Sequence, residues 1–340
     1  MKKIFFAVLA LAGLAACSTE DVVSRPQGAV IGFDNAFVEN STRANDLTAG
    51  NFDFGVYGSV INSQNQQGMI FTNQQVAADG EYSPLQYWIA AAQYYFTAIA
   101  PYTNAKWSYA TTTAHTGTIS FNNAASEANQ DLLFAYVKPD QTPAQINTTP
   151  DKVGFTFNHM LSRVRFTFAN GFGKDSNITL QVYDVTITDA YATADLAVAN
   201  GIPADYWSNF NGTLEKNFGK VGGATLATLT DTGDTKSAAT EHFYLIPANK
   251  TYNVTFNIDL YQAGVKLDTY TRTATIPAVG MQKGKSYDIT TTLTAQNTSD
   301  DGQLYPIEFK VDEVKTWDPA TGGTDVDADV NKPTTPPANN

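Results

Sequence analysis

Short runs of alternating apolar and polar residues, each closed by a turn signal, fill this chain from Ala29 onward, so its core has to be built from strands. Phe52, Phe54, Val56 and Gly58 alternate strictly, and a period of two places such residues on one face of a strand. Ile31, Phe33 and Phe37 share a face in the first segment. Further strands are expected over residues 69–76, 94–100, 116–121, 132–138, 153–168, 178–188, 243–246, 252–261, 267–276, 287–294 and 307–311. Asn-Ser-Gln-Asn at 62–65, Asp79-Gly80, Asn122-Asn123 and Lys138-Pro139-Asp140 punctuate them. The run 85–100 has helical length, but Pro84 and Pro101 bracket it and Gln86, Gln93 and Thr97 interrupt it. It reads as two strands, or a strand and a short turn. No amphipathic helix of three turns stands out, and regular short strands without helices predict an all-β fold of antiparallel β-sandwiches.

The strongest strand signal changes phase. Phe155, Phe157 and His159 occupy one alternation, and Val164, Phe166 and Phe168 the opposite one. A bulge near Ser162 would swap the buried face in this way. The Thr/Pro-rich stretch 141–150 marks a domain boundary, and a length of 340 residues suits two cores rather than one. The expected division is an N-terminal sandwich over 29–145, a C-terminal sandwich over 146–318 and a tail over 319–340 whose end is rich in proline.

Ahead of the strands stands a leader. Lys2 and Lys3 precede an apolar run, Ile4–Leu14, too short to span a bilayer as a mature helix, and small residues then lead to Cys17. Leu14-Ala15-Ala16-Cys17 resembles a bacterial lipobox, which makes residues 1–17 a lipoprotein signal peptide, Cys17 the lipidated residue and 18–28 a tether. Stable anchoring follows from several acyl chains at roughly 0.8 kcal/mol per buried CH₂. Glu20 and Asp21 resemble the acidic surface-export signal of Bacteroidales lipoproteins; a solvated linker accounts for them equally. Cys17 is the only cysteine, so the mature chain is exported without an internal disulfide. Removing the leader leaves 19 basic against 33 acidic residues. That balance disfavours nucleic acid as a partner, because phosphate neutralisation supplies much of its affinity.

Catalytic and metal signatures are missing. His115, His159 and His242 lie far apart in sequence, and no clustered Cys/His spacing supports zinc. His159 reads as a satisfied core residue. Asp231-Thr232-Gly233 resembles half of an aspartic protease pair without its second copy, and reads as a turn. Asp325, Asp327 and Asp329 resemble the start of an EF-hand loop, but Val330 stands where glycine belongs and Pro336 where glutamate does. No cofactor is expected, and the chain is not expected to be an enzyme.

Several segments together resemble the fimbrillin family, the type V pilus subunits and related lipoproteins of Bacteroidales. These are residues 94–102 (YYFTAIAPY), 131–135 (DLLFA), 155–166 (FTFNHMLSRVRF), 243–247 (FYLIP), 284–287 (GKSY) and 314–317 (VKTW). The resemblance implies two transthyretin-like sandwich domains in tandem, a place on the outer membrane and in a surface fimbrium, and other fimbrial subunits as partners. A host or bacterial surface ligand is a further class of partner.

It also implies cleavage after an arginine that follows the first strand, here between Arg43 and Ala44, and replacement of that strand by a segment of a neighbouring subunit. Losing Ile31, Phe33 and Phe37 would uncover apolar surface worth roughly 5–9 kcal/mol as an upper limit. Val326, Ala328 and Val330, alternating with aspartates, form the candidate donor strand. They are a lean replacement for isoleucine and phenylalanine, which leaves a tip or anchor subunit, or a chain never cut at Arg43, as open readings. A second reading is a monomeric surface lipoprotein that binds glycans through Trp88, Trp107, Trp207 and Tyr206, although aromatic residues also build β-cores.

Overall fold

The computed structural model describes residues 29–34, 37–38, 52–89, 91–102, 106–123, 129–139, 151–173, 176–302 and 305–316. Cys17, Arg43, Ala44, Val326, Ala328 and Val330 lie outside the described residues.

Strands β1 (Phe37–Val38), β2 (Phe54–Ile61), β3 (Gln67–Val76), β4 (Gln93–Ala100), β5 (Trp107–Thr113), β6 (Thr116–Asn122), β7 (Leu133–Val137) and β8 (Thr156–His159) occupy the first half. The second half holds β9 (Ser162–Asn170), β10 (Ile178–Ala199), β11 (Ile202–Pro203), β12 (Ser208–Asn217), β13 (Ser237–Ala239), β14 (Phe243–Leu245), β15 (Tyr252–Gln262), β16 (Val265–Ile276), β17 (Lys285–Leu293) and β18 (Lys310–Thr316). Among the described residues the only helical turns are two short 3₁₀ segments, Gly233–Thr235 and Ala295–Thr298. The fold is all-β, and the Asp-Thr-Gly triplet leads into the first of those turns.

The strands form three sheets. The first runs β1-β8-β7-β4-β2-β3, the second β16-β15-β10-β6-β5 with β11 and β12 also on β10, and the third β13-β9-β17-β18 with β14 also on β9. Pairing is antiparallel except for β1 with β8 and β9 with β17. Inward residues of these sheets meet in three clusters. Phe54, Phe96, Phe155 and Phe157 centre the first, and Phe166, Phe168, Phe256 and Phe309 the last. Ile99, Phe134, Leu161, Leu196 and Trp207 fill the one between them.

The long strand β10 links the last two clusters. Leu180 and Val182 face the last core, and Leu196 and Val198 the middle one. Its register shifts between Tyr183 and Thr186, where Asp184 takes φ of 53°, so a bulge re-aims the side chains there.

The phase change at Ser162 has a different cause from the expected bulge. β8 and β9 are separate strands in separate sheets, divided at Met160–Leu161. Phe155 and Phe157 pack into the first core and Val164, Phe166 and Phe168 into the last. The alternation inverts because the chain passes from one sheet to another. β8, which follows residue 146, is thereby a strand of the first sheet.

Candidate assembly groove

Residues 29–34 lie as an extended segment between two walls. On one side Ile31 N–H donates to the Gln86 carbonyl at 2.9 Å and Trp88 N–H to the Ala29 carbonyl at 2.9 Å, an antiparallel pairing centred on Val30 and Tyr87. On the other, Val153 N–H donates to the Gly32 carbonyl at 2.8 Å and Asp34 N–H to the Val153 carbonyl at 3.1 Å, in parallel. The pairing resumes where Phe37 and Val38 run beside Thr156 and Phe157. Strand alternation sends Ile31 and Phe33 inward, and both are fully buried.

Phe33 is the centre of an aromatic cage. Its ring lies 5.3–6.0 Å, centroid to centroid, from Tyr82, Phe71, Phe155 and Phe96. Tyr82 Oη donates to the Ile31 carbonyl at 2.6 Å, and burial pushes its phenol pKa upward. Gly80 closes the cage from the β3 end. With φ of +89°, it brings the turn so near that a Cβ there would lie 2.2 Å from the Phe33 carbonyl oxygen.

Both walls have supports that do not involve the first segment. Trp88 packs edge-on against Tyr94 at 4.6 Å and Phe96 at 5.9 Å, and Tyr94 Oη accepts the Ile89 N–H at 2.5 Å. Burial raises the Tyr94 pKa as well. The opposite wall continues into β8, which pairs with β7 through Leu133–His159 and Phe134–Asn158. His159 is buried, with Nδ1 2.5 Å from Asp131 Oδ2. The segment is thus hydrogen-bonded along both edges to walls that have further contacts of their own.

Sequence reasoning read Asp79-Gly80 only as a turn and 85–100 as two strands, or a strand and a short turn, and placed neither Gly80, Tyr82 nor the 86–88 wall beside the first segment. The signal for the wall was present: Leu85, Tyr87 and Ile89 are exposed while Trp88 between them is buried. Of the aromatic residues considered for sugar stacking, Trp88, Trp107 and Trp207 are buried, at 4–5 % exposure, and only Tyr206, at 74 %, faces solvent. Among the described residues no group of His, Cys, Asp and Glu could hold a metal, and no helix is long and apolar enough to cross a membrane.

The fold is a set of β-sheets whose first extended segment is hydrogen-bonded along both edges. A family profile described as fimbrillin-like matches residues 42–305. The chain belongs to that family. No curated protein matches it. It is similar to the crystal structure of a fimbrial protein from Bacteroides vulgatus, at 17 % identity and a TM-score of 0.59, over 85 % of this chain and 99 % of that one. A proposed cell adhesion protein from Bacteroides ovatus aligns at 13 % identity and a TM-score of 0.48, over 85 % and 98 % of the two chains. At 17 % identity the likeness to the fimbrial protein is one of fold.

Proposed function

We propose that this chain is a structural subunit of a cell-surface fimbrium that contributes to adhesion and has no catalytic role. In this reading it leaves the cell as a lipoprotein held to the outer membrane through Cys17. It is cut between Arg43 and Ala44, loses the segment carrying Ile31, Phe33 and Phe37, and accepts a strand from a neighbouring subunit. Val326, Ala328 and Val330 are the donor in the neighbour's chain. Other fimbrial subunits are the principal partners, and a host or bacterial surface ligand completes the set.

One observation carries the reading. Phe33 of the segment 29–34 fills a cage of aromatic side chains, yet the walls on either side are anchored to Tyr94, Phe96 and, through β8, to β7 without it. Family membership and the fimbrial protein of Bacteroides vulgatus support the same role. The test is the intact mass and N-terminal residue of material sheared from cells. Filaments built of chains that start at Ala44 are the expected result. Monomers alone, with Cys17 acylated and residues 29–34 still attached, would overturn it.

A further inference from the structure

A cleft of about 580 Å³ opens at the junction of the first and third sheets, lined among others by Tyr136, Asn158, His159, Asp205, Lys283 and Lys285. Two lysines against one aspartate make this a cationic spot on a chain of net charge −12. Lys283 Nζ donates to the Pro203 carbonyl at 3.0 Å and the Ala204 carbonyl at 2.6 Å, and stands 3.8 Å from Asp205, whose side chain is 89 % exposed. Lys285 is half-buried at the mouth and has no ion pair among the described residues. An apolar side chain, Ile202, 71 % exposed, adjoins them.

The C-terminal segment starts at this cleft. In the third sheet Lys285 is the register partner of Thr316, the last residue of β18, so the two backbones are about 5 Å apart there. The residues that follow include Asp325, Asp327 and Asp329, alternating with Val326, Ala328 and Val330. From Thr316 to Asp325 the chain can reach about 30 Å when fully extended, ample for a return to the cleft. The tether also gives the segment a high effective concentration at a site beside its own root.

We propose that the junction cleft is a docking site for the chain's own acidic segment Asp325–Val330, held by Lys283 and Lys285 with Val326 and Val330 toward Ile202. Docking occurs within a single uncut chain and needs neither cleavage at Arg43 nor a neighbour, so it stands or falls separately from strand exchange. It would keep the candidate donor segment folded back on its own subunit until a neighbour's groove competes for it. Burial lowers the Lys283 pKa more than Asp205 raises it, and an arriving aspartate would oppose that shift.

The test uses the chain from Ser18 onward, with Ala328→Cys as its single cysteine carrying a nitroxide, and methyl-labelled Met and Ile. Met160 and Ile202 line the cleft, and Ile258 in the last core serves as control. The expected result is that Met160 and Ile202 lose most of their signal while Ile258 keeps it. Lys285→Glu, or 1 M salt, where charges are screened beyond ~3 Å, should return the lost signal. No loss in the unaltered cleft, equal loss at Ile258, or persistence of the loss in Lys285→Glu would overturn the proposal. So would a loss seen only when the nitroxide is on a second, isotopically unlabelled chain, because the docking would then be between subunits.

Discussion

The ring of Phe33 stacks on that of Phe155, centroids 5.8 Å apart and planes inclined by 19°. The pair joins the first segment to its parallel neighbour through the core. Phe155 also meets Phe54 at 5.7 Å and Phe157 at 6.0 Å. It therefore keeps aromatic partners if Phe33 departs, whereas Phe33 draws its burial from the groove.

Phe33→Ala should lower the stability of the uncut chain by ~3–5 kcal/mol, the usual cost of deleting a buried phenylalanine and leaving a cavity. Urea unfolding followed by tyrosine and tryptophan fluorescence measures it as a lower midpoint with the slope retained. A loss under about 1 kcal/mol, within the range of unremarkable substitutions, would mean that the cage collapses without its central ring and that the segment contributes little.

Gly80→Ala should loosen the first segment specifically. A Cβ at Gly80 would meet the Phe33 carbonyl oxygen at 2.2 Å, and φ of +89° is strained for any L side chain. Hydrogen exchange of the Ile31, Asp34 and Trp88 amides should quicken about tenfold, equivalent to ~1.4 kcal/mol. Amides of β15, which belong to the last core, should not change. Uniform quickening would place the strain elsewhere than at the groove.

Legibility in the sequence followed side-chain size. Ile31 and Phe33 announced a buried extended segment because large residues at period two leave no other face to bury, although the segment makes only isolated bridges and β1 is confined to Phe37–Val38. β12, Ser208–Asn217, passed unnoticed because it is exposed or half-exposed throughout and so carries no apolar stripe. The distal half of β10 was missed because Ala190 and Ala194 are buried there, and alanine gives a weak apolar signal. The inversion at Ser162 was legible as a change of face but not as a change of sheet, since both produce the same alternation along the chain. The groove's far wall failed for a related reason: Trp88 is the one large buried side chain of a segment that makes only an isolated bridge, Val30 with Tyr87.

Neighbouring residues Tyr206 and Trp207 should respond oppositely to truncation. Trp207 is buried, donates its indole N–H to the Met160 carbonyl at 2.9 Å and packs against Phe121 at 6.1 Å. Trp207→Ala should cost ~3–5 kcal/mol, whereas Tyr206→Ala should stay within about 0.5 kcal/mol, as surface changes do. Chemical denaturation of the two variants separates them. A glycan array run on the same pair has an interpretable arm only in Tyr206→Ala, because loss of binding in the tryptophan variant would report unfolding.

Alkaline pH should first stabilise this protein and then destabilise it. Lys216 donates to Asn123 Oδ1 at 3.0 Å, and burial, with Lys106 nearby, lowers its pKa from 10.5 to about 8. Between those values the unfolded chain holds a proton that the folded chain has released. Stability therefore rises with pH across that window, by at most ~1.4 kcal/mol per unit from this group. Above the ordinary tyrosine value of 10.0 the sign reverses. Burial pushes Tyr57 and Tyr109 up to about 12, so the folded chain keeps protons that the unfolded chain has lost. Lys216→Met should flatten the rise and leave the fall intact, read as urea midpoints from about pH 7 to about pH 11. Lys283, also lowered by burial, retains part of the rise, so the variant's slope should shrink without vanishing. An unchanged slope in Lys216→Met would show that Lys216 stays charged in the fold and reaches water by a route the packing around Asn123 does not provide.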